Sequence, residues 1–219
     1  MENIYLLQEC ELFRGLAGNE FEKLYECLSA RQILLTRGMY VFHAGDKVES
    51  VYLILSGSMH ILDEDFWGNR SLIETMNKNV LFGEAYVLSG AERHLTSVIA
   101  AEDSVLLEIN PELLFKTCPH CCNCHIQLNQ NALRILSNKI VRLTEKLGHI
   151  SRRSMRERLL SYLSHCARQA QCPKFDIPYS RQQLADYLCV DRSSLSHELA
   201  KLQREEILRY HKNSFELLD

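Results

Sequence analysis

RQQLADYLCVDRSSLSHELAKLQREEIL, residues Arg181–Leu208, reads as two short amphipathic helices around a tight break at Cys189–Val190–Asp191. Leu184, Ala185 and Leu188 mark one apolar face, and Leu195, Leu199 and Leu202 mark the other. Ala185 and Leu195 are spaced to let two helices cross at a small residue, as in a helix-turn-helix. Ser180 suits the cap of the first helix and Asp191 the cap of the second. The second helix then opens on Arg192, Ser193, Ser194, Ser196 and His197. These are compact donors and acceptors of the kind that read base edges when a helix enters a major groove N-terminus first. Beyond it, Ile207–Tyr210 and Phe215–Leu218 flank His211–Ser214 as a hairpin or wing, with Lys212 placed to meet a phosphate.

Upstream, Ser154-x-x-Glu157 is a capping-box pattern directly before the apolar run Leu159, Leu160, Tyr162 and Leu163. A helix therefore starts there, and a preceding one ends near Arg152–Arg153. That preceding helix carries Ile126, Asn129, Leu133, Leu136, Ile140, Leu143, Leu147 and Ile150 at alternating steps of three and four, a heptad seam with one polar member. The seam would run about 37 Å at roughly 1.5 Å per residue. A strict 3.5-residue period predicts a helical partner alongside, and Asn129 suits the fixing of register.

The first half is patterned differently. Short apolar runs between residues 30 and 110 are broken by Gly38, Gly45, Gly57, Gly68, Gly83 and Gly90. That spacing predicts an antiparallel sandwich or barrel, with helices near Gly18–Ser29 before it and from Pro111 after it. The charge divides as well. Residues 1–116 hold 9 Lys and Arg against 18 Asp and Glu, whereas residues 117–219 hold 16 against 10. An acidic body joined to a basic half suits approach to a polyanion. The start, MENIYLLQECELF, lacks the early positive charge of a secretory signal. No apolar run approaches the roughly 18 residues needed to span a bilayer. Nine cysteines, an odd number, suit reduced thiols in a cytoplasm.

These residues resemble the CRP/FNR family of bacterial transcription regulators over nearly the whole chain. Gly38-x3-Phe42-x2-Gly45-Asp46-x5-Tyr52-x-Ile54-x2-Gly57 is similar to the turn framework of the family's cyclic-nucleotide-type β-roll. Phe82–Gly83–Glu84–Ala85 followed by Arg93 resembles its phosphate-binding cassette. LADYLCVDRSSLSHEL and Cys118-x3-Cys122-x2-His125 resemble a subgroup from clostridial-type anaerobes. The resemblance implies an α+β chain with an N-terminal antiparallel β-roll over residues 1–116 and a linker and dimerisation helix over 117–153. A winged helix-turn-helix would occupy 154–219.

It also implies a sensor coupled to DNA binding. Gly83, Glu84, Arg93 and His94 would contact the effector. Family members that bind cyclic AMP place a small hydroxyl residue and then a small apolar one after the cassette arginine. Here His94 and Leu95 stand there, and Leu95 would crowd a phosphate. The expected effector is a small anionic or organic molecule other than cyclic AMP, or a change of redox state. Glu84 and Arg93 would then be free to form an internal salt bridge. Ser180, Arg181, Arg192, Ser193, Ser196, His197, Lys201 and Lys212 would contact DNA. Arg192, Ser193, Ser196 and His197 fall at the family's reading positions, where well-studied members carry glutamate in place of Ser193 and arginine in place of His197. Leu133, Leu136, Ile140, Leu143, Leu147 and Ile150 would form the dimer interface.

The densest chemistry is TCPHCCNCH, Thr117–His125. Cys118–Cys121 matches a C-P-H-C thiol-exchange site, but many strands followed by one long helix is the wrong context for it. Cys118, Cys121, Cys122, Cys124 and His125 are candidate ligands for zinc or an iron–sulfur cluster, candidate partners in a reversible disulfide, or small buried apolar groups. The resemblance places the family's iron–sulfur cysteines nearer the N-terminus, where only Cys10 and Cys27 lie. No catalytic triad, glycine-rich nucleotide loop or paired-carboxylate site is visible, so the chain reads as a regulator and not an enzyme. Its expected partners are a palindromic DNA operator, a second copy of itself and RNA polymerase, with no membrane. The other reading is a binding module that controls a partner protein without touching DNA.

Overall fold

In the computed structural model the chain divides into two units, Met1–Leu136 and Ser137–Asp219. The structure describes residues 10–16, 27–115 and 123–218, together with Leu7, Leu24 and Tyr25. Most of the helix expected at Gly18–Ser29 lies outside these residues.

The first unit contains β1 (Arg31–Leu35), β2 (Tyr40–Phe42), β3 (Val51–Ser56), β4 (Met59–Glu64), β5 (Arg70–Met76), β6 (Leu81–Phe82), helix α1 (Glu84–Ser89), β7 (Ser97–Ala100), β8 (Ser104–Ile109) and helix α2 (Pro111–Phe115). The long helix α3 (Asn123–Ile150) follows, and its first half belongs to this unit. The strands form two four-stranded sheets in the orders β1-β8-β3-β6 and β2-β7-β4-β5, with antiparallel neighbours.

The run VYLIL in β3 does not alternate apolar with polar because both its faces are covered. Ile54 joins Leu35, Phe42, Met59, Met76, Phe82, Val98, Ala100 and Leu106 in the core between the sheets. Val51, Leu53 and Leu55 point the other way, into a core shared with Leu12, Phe13, Leu107, Ile109, Leu128, Ala132 and Ile135. A core leucine such as Leu53 contributes about 2–5 kcal/mol relative to alanine. The β3–β4 corner turns at Gly57, which has φ 80°. A Cβ there would sit 2.1 Å from Ser104 Oγ, so only glycine fits.

The root of α3 is fixed by polar contacts as well. Buried Asn131 donates to the carbonyls of Leu12 at 3.0 Å and Arg14 at 2.8 Å, and accepts from Gln127 at 3.1 Å. The heptad positions face elsewhere. Leu133, Ile140, Leu143 and Leu147 are 60–65 % exposed, Ile126 is exposed, and Leu136 and Ile150 are half-buried.

The second unit contains the end of α3, then α4 (Met155–Ala170), β9 (Lys174–Asp176), α5 (Arg181–Leu188), α6 (Arg192–Arg204), β10 (Leu208–His211) and β11 (Ser214–Leu217). Ser154 and Glu157 close a reciprocal capping box at the start of α4. The last three strands form an antiparallel sheet in the order β10-β11-β9. Leu159, Leu163, Phe175, Leu184, Leu188, Leu195, Leu199, Leu202, Leu208 and Phe215 fill one core between these elements. Among the described residues no helix is long and apolar enough to cross a membrane.

Candidate nucleic-acid interface and effector site

Ser180 begins α5 by accepting from the Gln183 amide at 3.3 Å, while Gln183 Oε1 accepts from the Ser180 amide at 2.8 Å. The helix ends at Cys189, which takes a left-handed conformation with φ 54° and ψ 52°. The Val190 amide then reaches the Ala185 carbonyl at 3.0 Å and the Cys189 amide reaches that of Asp186 at 3.2 Å. This pair of bonds is a Schellman closure, usually made with glycine. Ala185 and Leu195 are both fully buried at the crossing. Asp191 caps α6 by accepting from the Ser194 amide at 2.9 Å and from the Ser193 hydroxyl. Those bonds, the hydroxyl of Ser193 foremost, hold the Asp191 carboxyl below its ordinary range.

Helix α6 divides cleanly. Leu195, Glu198, Leu199 and Leu202 face inward, whereas Arg192, Ser193, Ser196, His197 and Lys201 are exposed on the opposite stripe. Ser196 donates its hydroxyl to the Arg192 carbonyl at 2.9 Å. In this state both reading-face serines therefore spend their one donor within the protein and present lone pairs outward. Lys212 is exposed at the tip of the β10–β11 hairpin. Arg181 is placed differently from the other expected DNA contacts. Its guanidinium lies over the rings of Tyr210 at 5.2 Å and Phe215 at 5.7 Å and donates to the Lys212 carbonyl at 3.2 Å. It thus ties the first turn of α5 to the wing.

Two arginines that sequence reasoning passed over hold the reading helix. Arg156 pairs with Glu198 at 3.3 Å and with Glu205. Arg158 donates to the carbonyls of Arg152 at 3.0 Å and of Leu188 and Cys189 at 3.4 Å each. Their only sequence signal is basic charge in the first turn of a capped helix, where acidic residues are normally favoured.

In the first unit, Gly83 has φ 84° at the start of α1, and Glu84 is buried beside it. A Cβ on Gly83 would stand 2.9 Å from the Ser50 carbonyl. Arg93 sends its guanidinium to the Gly45 carbonyl at 2.5 Å. His94 is 3 % exposed; its ring stacks on Phe42 at 3.6 Å and meets Tyr86 edge-on at 4.7 Å. Its Nδ1 is buried without a hydrogen-bond partner among the described residues. Burial lowers the affinity of His94 for a proton, and Asp46 opposes this. Leu95, expected to crowd a phosphate, instead stands 77 % exposed. The chain bends at Leu95, and His94 takes the inner side.

Cys118, Cys121 and Cys122 lie outside the described residues. Cys124 is half-buried at the start of α3, and buried His125 places Nε2 3.2 Å from the Leu113 carbonyl. Among the described residues no group of three or more His, Cys, Asp or Glu side chains could hold a metal ion.

Two family models match the chain: the cyclic nucleotide-binding domain over residues 32–120 and the Crp-like helix-turn-helix domain over 157–219. Together they take in well over half of it. The transcriptional regulatory protein btr of Bordetella pertussis is 24 % identical over 94 % of this chain and 84 % of its own length. The cyclic AMP receptor protein of Thermus thermophilus is 26 % identical over 90 % of this chain and 88 % of its own. The fold is shared with the c-di-GMP responsive global regulator CLP of Xanthomonas campestris, at a TM-score of 0.52 and 20 % identity over 90 % of this chain and 99 % of that one. With a helix-turn-helix that exposes a polar face and a domain of cyclic-nucleotide-binding type, the chain belongs to the CRP/FNR family of DNA-binding transcription regulators.

Proposed function

We propose that the chain works in the cytoplasm as a homodimer that binds a palindromic operator, with its affinity set by a small effector in the first unit. The observation that carries this reading is the pair of exposed faces on α3 and α6. The apolar heptad stripe of α3 is exposed at Ile126, Leu133, Ile140, Leu143 and Leu147. Pairing of two such stripes would cover these apolar side chains. Two copies of α6 would then read half-sites about 10 base pairs apart. Arg192, Ser193, Ser196, His197 and Lys201 would meet the groove, and Ser180 and Lys212 the backbone. Arg181 acts by holding the wing in place.

Gly83, Glu84, Arg93 and His94 would form the effector site. Three relatives' names refer to cyclic AMP, whereas here the Arg93 guanidinium is tied to the Gly45 carbonyl and the His94 ring is stacked on Phe42. We infer that the effector is a small anionic or organic molecule other than cyclic AMP, or a change of redox state. The test is selection of bound duplexes from a random library, with native mass spectrometry of protein purified without oxygen. The expected result is an enriched palindrome bound by two chains. A strictly monomeric protein with no sequence preference, before and after oxidation of Cys118, Cys121, Cys122 and Cys124, would overturn it.

A further inference from the structure

The link between α3 and α4, Ser151–Ser154, is where the rod passes into the reading head, and one imidazole packs against both sides of it. His149 stands in the last turn of α3 and is 5 % exposed. Its Nδ1 lies 2.9 Å from Ser161 Oγ on α4. Its ring meets Tyr162 edge-on at 5.8 Å, His165 at 5.4 Å and Tyr187 of α5 at 6.3 Å. Its Nε2 is buried without a hydrogen-bond partner among the described residues. No other residue of the α3 end makes ring contacts to both α4 and α5 among those described. We propose that His149 is a proton-operated latch: neutral, it pins the end of α3 to α4 and α5, and protonated, it leaves that site and frees the link. This rests on the reading above, in which the setting of the head governs DNA affinity.

The surroundings fix the direction. A neutral ring needs only one strong partner and tolerates one idle nitrogen, whereas an imidazolium presents two donors and a charge. Among the described residues Ser161 alone is within hydrogen-bond reach. The charged and titratable groups facing the ring are His165 and Arg168 on α4, Arg152 in the link and Glu145 on α3. Tyr162, Tyr187, Tyr179 and Cys166 complete the cluster, and Lys146 lies over Tyr187 at 5.6 Å. Three of the four charged groups are basic. The one acid, Glu145, lies 3.6 Å from His165 Nε2 and is shared with it. Burial first, and His165 second, lower the proton affinity of His149. The opened state therefore binds the proton more tightly. The closed packing is complete above the ordinary histidine value of about 6.5 and is lost as pH falls through the lower folded value.

The test uses the full chain. Histidine-ring NMR from pH 5.5 to 8 follows His149, assigned with His149→Gln. Amide exchange across residues 147–158, corrected for intrinsic rate, is compared at the two ends of that range. The expected result is a proton affinity below that of a free histidine, with severalfold faster corrected exchange in acid for the wild type. His149→Phe and His149→Gln, neither of which titrates, should lose that dependence. Ordinary titration of His149, or exchange equally independent of pH in wild type and in either variant that folds, overturns the latch. Affinity for one selected duplex is then compared between wild type and His149→Phe, both of which keep His197 and His211. Acid-sensitive exchange with matching affinity profiles would leave the latch standing and remove the reading that head orientation sets DNA affinity.

Discussion

Substituting Ile140 by asparagine should separate pairing from folding. Ile140 is 65 % exposed in the single chain, so little of its side chain is used to hold the monomer together. Surface changes of this kind usually move monomer stability by no more than about 0.5 kcal/mol. Fully burying an isoleucine contributes about 1.5–3 kcal/mol, and the exposed part still available to a partner helix gives about 1–2 kcal/mol per copy. Both copies lose it, so the pair weakens by about 2–4 kcal/mol. At roughly 1.4 kcal/mol per decade, the dimer Kd rises about 30- to 700-fold. Sedimentation velocity over a concentration series reads that constant directly. Thermal unfolding of the same sample should show a transition close to that of the dissociated wild type, and affinity for a full palindrome should fall toward that for a half-site. A dimer constant within about threefold of wild type would refute the reasoning, because the seam would then not be the interface.

Cys189 is exposed and left-handed, so glycine there relieves about 1–2 kcal/mol of strain and returns roughly 0.4–1 kcal/mol of unfolded-chain entropy. Cys189→Gly should therefore stabilise the second unit by about 0.5–1 kcal/mol in urea titration without weakening DNA binding. Gly57→Ala, which combines a left-handed backbone with a Cβ 2.1 Å from Ser104 Oγ, should destabilise the first unit by about 2–5 kcal/mol in the same assay. Arg192→Ala should cost about 1–3 kcal/mol on a selected duplex and little on scrambled DNA, whereas Lys212→Ala should weaken both and lower the salt slope by about 1. His94 has its proton affinity lowered by burial, so the melting temperature of the first unit should fall as pH drops below about 6.5, and His94→Phe should remove that fall.

What could be read from the sequence was whatever local spacing determines. The caps at Ser154, Ser180 and Asp191 depend on a side chain and an amide a few positions away, so the letters alone place them. The same holds for the α3 stripe and the crossing at Ala185 and Leu195. The break at Cys189–Val190–Asp191 was legible too, although the left-handed backbone there is unusual for cysteine. What stayed hidden depends on partners far along the chain. Asn131 bonds to carbonyls more than a hundred residues earlier. Arg158 reaches the helix-turn-helix turn, and Arg181, expected among the DNA contacts, lies over the rings of Tyr210 and Phe215. The order of His94 and Leu95 suggested a bulky blocker, but only the fold decides which of two neighbours faces in.

β3 is a party wall between two rooms. Tyr52 and Ile54 furnish the interior of the roll, and Val51, Leu53 and Leu55 furnish the chamber that houses Leu128, Ala132 and Ile135 at the foot of the rod. Packed interiors have little slack, so a guest that shouldered Tyr52 aside would lean on the same backbone. Whatever entered on one side would be felt, one peptide thickness away, where the rod is footed.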